Sequence, residues 1–217
     1  MIKVTINGAS GKMGTKVSNL IKNDSFLVEC FDDISCSDLV IDFSQPSSTK
    51  KILKKCVVEK KPIIIGTTGF SDNDLKEIRE AANSIPIVLA ANMSRGIFYL
   101  KNSLASFIHN NQDKLRCFIE ETHHIEKVDK PSGTAIELKK FITEHDNNNF
   151  IQDIKIKSYR VANIFGTHKI MFCSDNRTIC FSHEALSRKI FAEGAIMCAK
   201  SINFNKPNLY SFEDIIN

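Results

Sequence analysis

Two adjacent histidines, His123 and His124, are followed by Lys127 and then by Pro131-Ser132-Gly133-Thr134-Ala135, so a proton donor, a cation and a helix-start turn fall within residues 121–135. Histidine has the unperturbed pKa best suited to proton transfer near neutrality. Lys127 offers both a proton and a positive charge to a carboxylate. Successive side chains on a strand point to opposite faces, so His123 and His124 require separate roles. Thr134 and Glu137 have capping-box spacing. Amides around Gly133 and Thr134 could grip a substrate carboxylate, with Lys127 and His124 across from them. The grouping suits chemistry on a small anion, although taken alone it also reads as a capped helix after a basic loop.

A second constellation lies at the start of the chain. In Gly8-Ala9-Ser10-Gly11-Lys12-Met13-Gly14 the glycines follow a strand-like run and open a helical one, which lets backbone amides approach a pyrophosphate. Asp32, about twenty residues on, can accept ribose hydroxyls. Asp32 and Asp33 would repel a 2′-phosphate, which favours NADH. Lys12 could neutralise such a phosphate, which keeps NADPH open. Gly66-Thr67-Thr68-Gly69-Phe70 and Ala90-Ala91-Asn92-Met93-Ser94 each follow a strand-like run, where a dinucleotide is expected to lie.

The elements that must position these groups follow from periodicity. Residues 3–7, 26–31, 39–43, 62–65 and 86–91 read as strands, the third apolar but for Asp42. Residues 12–21, 47–59 and 71–83 read as helices, the last opened by Ser71 and Asp74. Four or five parallel strands in a doubly wound sheet are expected. Only residues 33–37 separate the second and third strands, too few for a helical crossover, so these two should not be neighbours. Beyond residue 94 the pattern changes to a helix (97–110), a strand (117–124), a helix from Thr134, and alternating strands around 154–161, 170–172 and 179–181. Ser174-Asp175-Asn176-Arg177 reads as a hairpin turn. The expected fold is α/β. A Rossmann-like dinucleotide-binding domain spans residues 1–94 and 188–217. A second α+β domain with a mixed or antiparallel sheet spans 95–187, for substrate and oligomerisation, with hinges near 91–94 and Arg188.

Composition excludes several classes. With 217 residues, 42% hydrophobic and 25% charged, the chain is an ordinary globular sequence without a membrane-span-like run. The opening residues 1–6 read as a strand rather than a secretory leader, which makes the cytoplasm the expected location. A net charge of +4, spread along the chain, is too small to indicate nucleic acid. Seven scattered cysteines without paired spacing read as reduced, mostly buried thiols, and no metal centre is expected.

The pattern His-His-x-x-Lys-x-Asp-x-Pro-Ser-Gly-Thr-Ala, read with the glycine loop, resembles the dihydrodipicolinate reductase family, also called 4-hydroxy-tetrahydrodipicolinate reductase. The likeness continues through Val40-Ile41-Asp42-Phe43-Ser44, Ser187-Arg188, Phe191-Ala192, Gly194-Ala195 and Tyr210-Ser211-Phe212-Glu213-Asp214. The resemblance implies an oxidoreductase that uses NADH, NADPH or both to reduce a cyclic dicarboxylate in diaminopimelate and lysine biosynthesis. It implies His123 as the acid/base residue, Lys127 as proton donor and substrate ligand, and His124, Ser132, Gly133 and Thr134 as substrate contacts. Its cofactor residues fall on Gly8, Ala9, Ser10, Gly11, Lys12, Met13, Asp32, Gly66, Thr67, Thr68, Ala90, Ala91, Asn92 and Met93. A homotetramer is implied as well. The chain is a short form between the second and third strands. Between Arg160 and His168, glycine and proline positions usual in the family are Ala162, Asn163 and Phe165.

Two readings compete with this one. A non-catalytic nucleotide-sensing module would retain the first domain for nucleotide and use the second for assembly, and intact His123 and Lys127 argue against it. A metal-dependent hydrolase would use His123, His124, His168 and His183, which lack helical metal-binding spacing.

Overall fold

A computed structural model of the protein describes residues 1–31, 33–161, 163–201 and 206–216. The chain divides into two compact units, residues 1–94 with 188–217, and residues 95–187.

The first unit alternates strand and helix: β1 (Ile2–Asn7), α1 (Lys12–Ile21), β2 (Leu27–Glu29), β3 (Leu39–Asp42), α2 (Pro46–Val58), β4 (Ile63–Ile65), α3 (Asp72–Ala81) and β5 (Pro86–Leu89). The second contains α4 (Arg95–Asn110), β6 (Leu115–His123), α5 (Gly133–His145), β7 (Ile151–Arg160), β8 (Thr167–Cys173) and β9 (Thr178–Glu184). The chain returns to the first unit with α6 (Lys189–Ser201), β10 (Asn208–Tyr210) and α7 (Glu213–Ile216).

The first sheet has six parallel strands in the order β10-β5-β4-β3-β1-β2. β1 lies between β2 and β3, so the short connection crosses over it and the strand order reverses there. The central strands are apolar on both faces because helices cover both: β4 is Ile63, Ile64 and Ile65, all at 0% exposure. One core cluster joins Val4, Ile6, Val17, Ile41, Ile64 and Val88 to Ala192, Ala195 and Ala199 of α6, while another joins Val40, Leu53, Ile63, Ile78 and Ile87. Ser71 caps α3 in a reciprocal box with Asp74, as the spacing predicts.

The sheet exceeds the expected four or five strands because β10 was not foreseen. Its three residues carry too little pattern, and they are recruited by pairing with β5. β2 is also shorter than residues 26–31, with Phe26 and Phe31 exposed at its flanks.

The second unit carries a mixed sheet, order β7-β6-β8-β9, in which β6 and β7 are parallel and the other pairs antiparallel. The parallel pair is possible because α5 supplies the crossover. Strand period sets the buried face: Leu115, Cys117 and Ile119 of β6 and Ile170 and Phe172 of β8 pack with Leu104, Ile108, Leu138 and Ile142 of the helices. Ser174 to Arg177 closes the β8–β9 hairpin through the Ser174 amide and the Arg177 carbonyl at 3.0 Å.

All seven cysteines are free thiols, with Cys56, Cys117 and Cys198 buried. Burial pushes each of these three thiols up to about 12. Cys36 and Cys180 are exposed and Cys30 and Cys173 half-buried, so fewer of the thiols are buried than expected. Among the described residues, no helix is long and apolar enough to cross a membrane.

Candidate active site

On β6 the buried face changes from apolar to polar at its end: Leu115, Cys117 and Ile119 give way to Glu121 and His123. The period-two alternation that builds the core therefore places both side chains at its polar edge. Glu121 has no exposed surface and His123 has 8%. His123 Nδ1 bonds the Glu121 Oε2 atom, and Arg160 of β7 donates to both carboxylate oxygens of Glu121, at 3.0 and 3.1 Å. The Ser132 amide adds a fourth contact to that carboxylate at 3.3 Å.

Across the sheet, His168 of β8 is the register partner of Glu121 and, on its other side, of His183 on β9. Its ring stands edge-on to that of His123, with centroids 5.2 Å apart. Burial holds His168 down to about 3, so the ring is neutral. Burial also lowers His123. Glu121 opposes that shift, while Lys127 and Arg160 reinforce it. Glu121 itself is raised by burial, but its bonds to Ser158, His123 and Arg160 outweigh this and keep it below the usual carboxylate range.

After β6 the chain turns tightly, the Lys127 amide meeting the His124 carbonyl at 3.1 Å. The turn brings Lys127 Nζ to 2.8 Å from Asp129. Burial raises Asp129, yet Lys127 and the backbone amides of Asp129 and Gly133 hold it low. Arg160 fastens this loop by donating to the carbonyls of Lys127, at 3.1 Å, and Asp129. His124 follows the end of β6 and is three-quarters covered, with its Nδ1 3.9 Å from the Glu126 carboxylate.

The start of α5 departs from expectation in one respect. Ser132, not Thr134, is the cap, its hydroxyl accepting from the Ala135 amide at 3.2 Å. Glu137 instead pairs with the buried Lys101 of α4. Ser132 is 1% exposed, and its hydroxyl also meets His168 Nε2 at 3.3 Å. Its side chain thus caps the helix start. Gly133 and Thr134 follow at the first helical positions.

In the first unit, the ends of β1, β3 and β4 are tied together by Asp42. The carboxylate is fully buried and takes four donors: Asn7 at 2.7 Å, Ser44 at 2.6 Å, Thr49 at 2.6 Å and Thr67 at 2.8 Å. The Ser44 amide then donates to the Thr67 hydroxyl at 2.9 Å. Asn7 precedes the glycine loop and Thr67 lies within the Gly66-Thr67-Thr68 loop, so one carboxylate sets both.

Gly8 adopts φ +87°, and a Cβ on Gly14 would lie 2.1 Å from the Gly8 carbonyl oxygen, so the loop closes against the helix only with glycine there. Gly11 precedes α1 without giving it a side-chain cap, and the first turn of the helix holds no acidic residue. An anion is the natural complement of that terminus. Ala9, Ser10, Gly11 and Lys12 are exposed and Met13 is half-buried, as are Gly66, Ala90 and Asn92, while Thr68 and Ala91 are exposed. Met93 is buried in the core, with its carbonyl against Gly194. Asp32 lies outside the described residues.

Sequence reasoning passed over Glu121, Arg160, Asp129 and the hub role of Asp42. Two signals were available: Glu121 stands two residues before His123, and Asp42 is the one polar residue in an apolar strand. Arg160 could be found only from the β6–β7 register, which makes it the partner of His123. Among the described residues, no group of histidine, cysteine and carboxylate side chains is arranged to hold a metal ion.

Comparison with known proteins agrees across the length of the chain. The descriptions "Dihydrodipicolinate reductase, N-terminus" and "Dihydrodipicolinate reductase, C-terminus" match residues 27–93 and 96–216. A 4-hydroxy-tetrahydrodipicolinate reductase of Bdellovibrio bacteriovorus is 32% identical, with 99% of this chain and 96% of the relative covered. That of Alkaliphilus oremlandii is 35% identical, with 98% and 97% covered. Among solved structures, a dipicolinate-bound dihydrodipicolinate reductase from Paenisporosarcina sp. TG-14 shares the fold at TM-score 0.75 and 21% identity, each chain covered in full. Matched in both halves and along nearly the whole length of these relatives, the chain belongs to the dihydrodipicolinate reductase family.

Proposed function

We propose that the protein reduces 4-hydroxy-tetrahydrodipicolinate to tetrahydrodipicolinate in diaminopimelate and lysine biosynthesis, with NADH or NADPH as donor. The observation that carries this reading is the convergence of His123, Lys127 and the α5 start at the polar end of one sheet, in a chain of this family. A reduced nicotinamide supplies the hydride when bound. The uncapped start of α1 and the glycine loop fit its pyrophosphate. Gly8, Ala9, Ser10, Gly11, Lys12 and Met13 would hold it, together with Gly66, Thr67 and Thr68 after β4 and the backbone of Ala90, Ala91, Asn92 and Met93 after β5.

Net reduction takes up one hydride and one proton and releases water, so the protein must place an anion and deliver a proton. Lys127 supplies the positive charge for one substrate carboxylate, with the Thr134 amide and, once Asp129 gives it up, the Gly133 amide as complementary donors and His124 beside them. Asp129 keeps the ammonium in place until substrate arrives. His123 handles the proton, and Ser132, which caps the helix start, lies with Gly133 and Thr134 among the substrate contacts. The 95–187 unit is the substrate-binding half, with its sheet as a tetramer surface, and the cytoplasm is the site of action.

Lys127→Ala tests the assignment. Turnover should fall by roughly 10² or more while nucleotide affinity stays unchanged, because the ammonium acts on substrate. Equal loss of nucleotide binding by fluorescence titration would move Lys127 out of the substrate site.

A further inference from the structure

The buried polar end of the β6 face contains more than the acid/base group requires, since Glu121 and Arg160 touch His123 or its support but sit beneath it. The Glu121 carboxylate is held from every side: Nδ1 of His123, two bonds from Arg160 Nη1, the Ser132 amide and the Ser158 side chain. Arg160 in turn bonds the carbonyls of Tyr159, Lys127 and Asp129. A carboxylate that accepts on Nδ1 forces the ring hydrogen onto that nitrogen and leaves Nε2 as the atom that exchanges a proton. Nε2 faces Gly166, where a Cβ would approach it to 3.0 Å, so the strand entry at Gly166 leaves the room that Nε2 needs.

We infer that Glu121 is the positioning residue for His123, fixing its tautomer with Nε2 outward, and that Arg160 neutralises this carboxylate so that the ring stays uncharged. The inference rests on the reading above in taking His123 as the acid/base residue. A buried carboxylate alone beside an imidazole draws a second proton onto it, whereas a guanidinium on the far side cancels that pull. The other groups facing His123 are Lys127 from the following loop and the neutral His168 of β8, which itself faces His183 of β9. None of them is an anion, so Glu121 is the one negative charge acting directly on the ring among the described residues.

The test is the pH dependence of histidine ring nitrogen shifts in the full chain without substrate, for wild type, Glu121→Gln, Arg160→Gln and Arg160→Lys, paired with steady-state kinetics. His123 in the wild type should be a single neutral tautomer with the hydrogen on Nδ1 near neutral pH. Arg160→Gln should raise its titration by about one pH unit, with Arg160→Lys restoring part of the shift. Glu121→Gln should lose the tautomer preference and lower kcat at least ~10-fold with nucleotide affinity intact. Should Glu121→Gln not fold, the two Arg160 variants decide, with a thermal melt as the folding control. Hydrogen on Nε2 in the wild type, or an unmoved titration in folded Arg160→Gln, overturns the inference. Absence of substrate-dependent nucleotide oxidation by the wild type overturns the reductase reading instead, because the ring shifts are measured without it.

Discussion

At the scale of single residues, the second unit buries two imidazoles, His123 and His168. His168 is 2% exposed, with Nε2 on the Ser132 hydroxyl and Nδ1 without a hydrogen-bond partner among the described residues. Its folded pKa of about 3 lies below the ordinary 6.5, so between these values an unfolded chain binds a proton that the folded chain refuses. Stability from this group is complete above about 6.5 and is lost as pH falls from there toward 3, at up to ~1.4 kcal/mol per pH unit. His123 and His183 are also depressed by burial and add the same sign. Denaturant midpoints should therefore drop steadily below neutrality. His168→Gln should flatten the slope even if it lowers the plateau, and an equally steep profile in that variant would remove His168 as the source.

At the scale of elements, three strand ends depend on one side chain. Asp42 accepts from Asn7, Ser44, Thr49 and Thr67, filling both oxygens with two donors each. Asp42→Asn would set an amide hydrogen against two of these donors, costing about 2 kcal/mol and loosening the loops after β1 and β4. Weaker nucleotide affinity with an unchanged substrate KM is the expected result. Unchanged nucleotide affinity in a calorimetric titration would show that the loops hold their shape without it. Five strands and the helices α1 to α3 of this unit were legible in the sequence as short apolar runs alternating with helical periodicity, and the five residues between β2 and β3 already excluded these two as neighbours. The hub was not, since a buried aspartate in an apolar run gives no hint of its donors, which are dispersed from Asn7 to Thr67. β10 was missed for a related reason: three residues have no period to read, and their strand exists through pairing with β5. In the second unit the parallel β6–β7 pair, which brings Arg160 beside His123, is a fact of topology that alternation alone does not specify.

At the scale of the whole molecule, the chain leaves its first unit after Ser94 and re-enters it at Arg188. Under the proposed function, the first unit would offer uncapped amides and glycines at the end of a parallel sheet to a nucleotide, and the second a histidine, a lysine and a helix start at the end of a mixed sheet to an anionic ring. The resemblance carried by residues 121–135 and by the glycine loop was legible because these residues are contiguous. The support beneath them was not, because it is assembled from β6, β7 and β8. The most direct test is the loss of nicotinamide absorbance when the full chain receives NADH or NADPH with 4-hydroxy-tetrahydrodipicolinate generated freshly by a coupled synthase. The account predicts rapid, substrate-dependent oxidation of at least one nucleotide, abolished by Lys127→Ala. A folded protein that binds nucleotide yet oxidises neither in the presence of that substrate would contradict it.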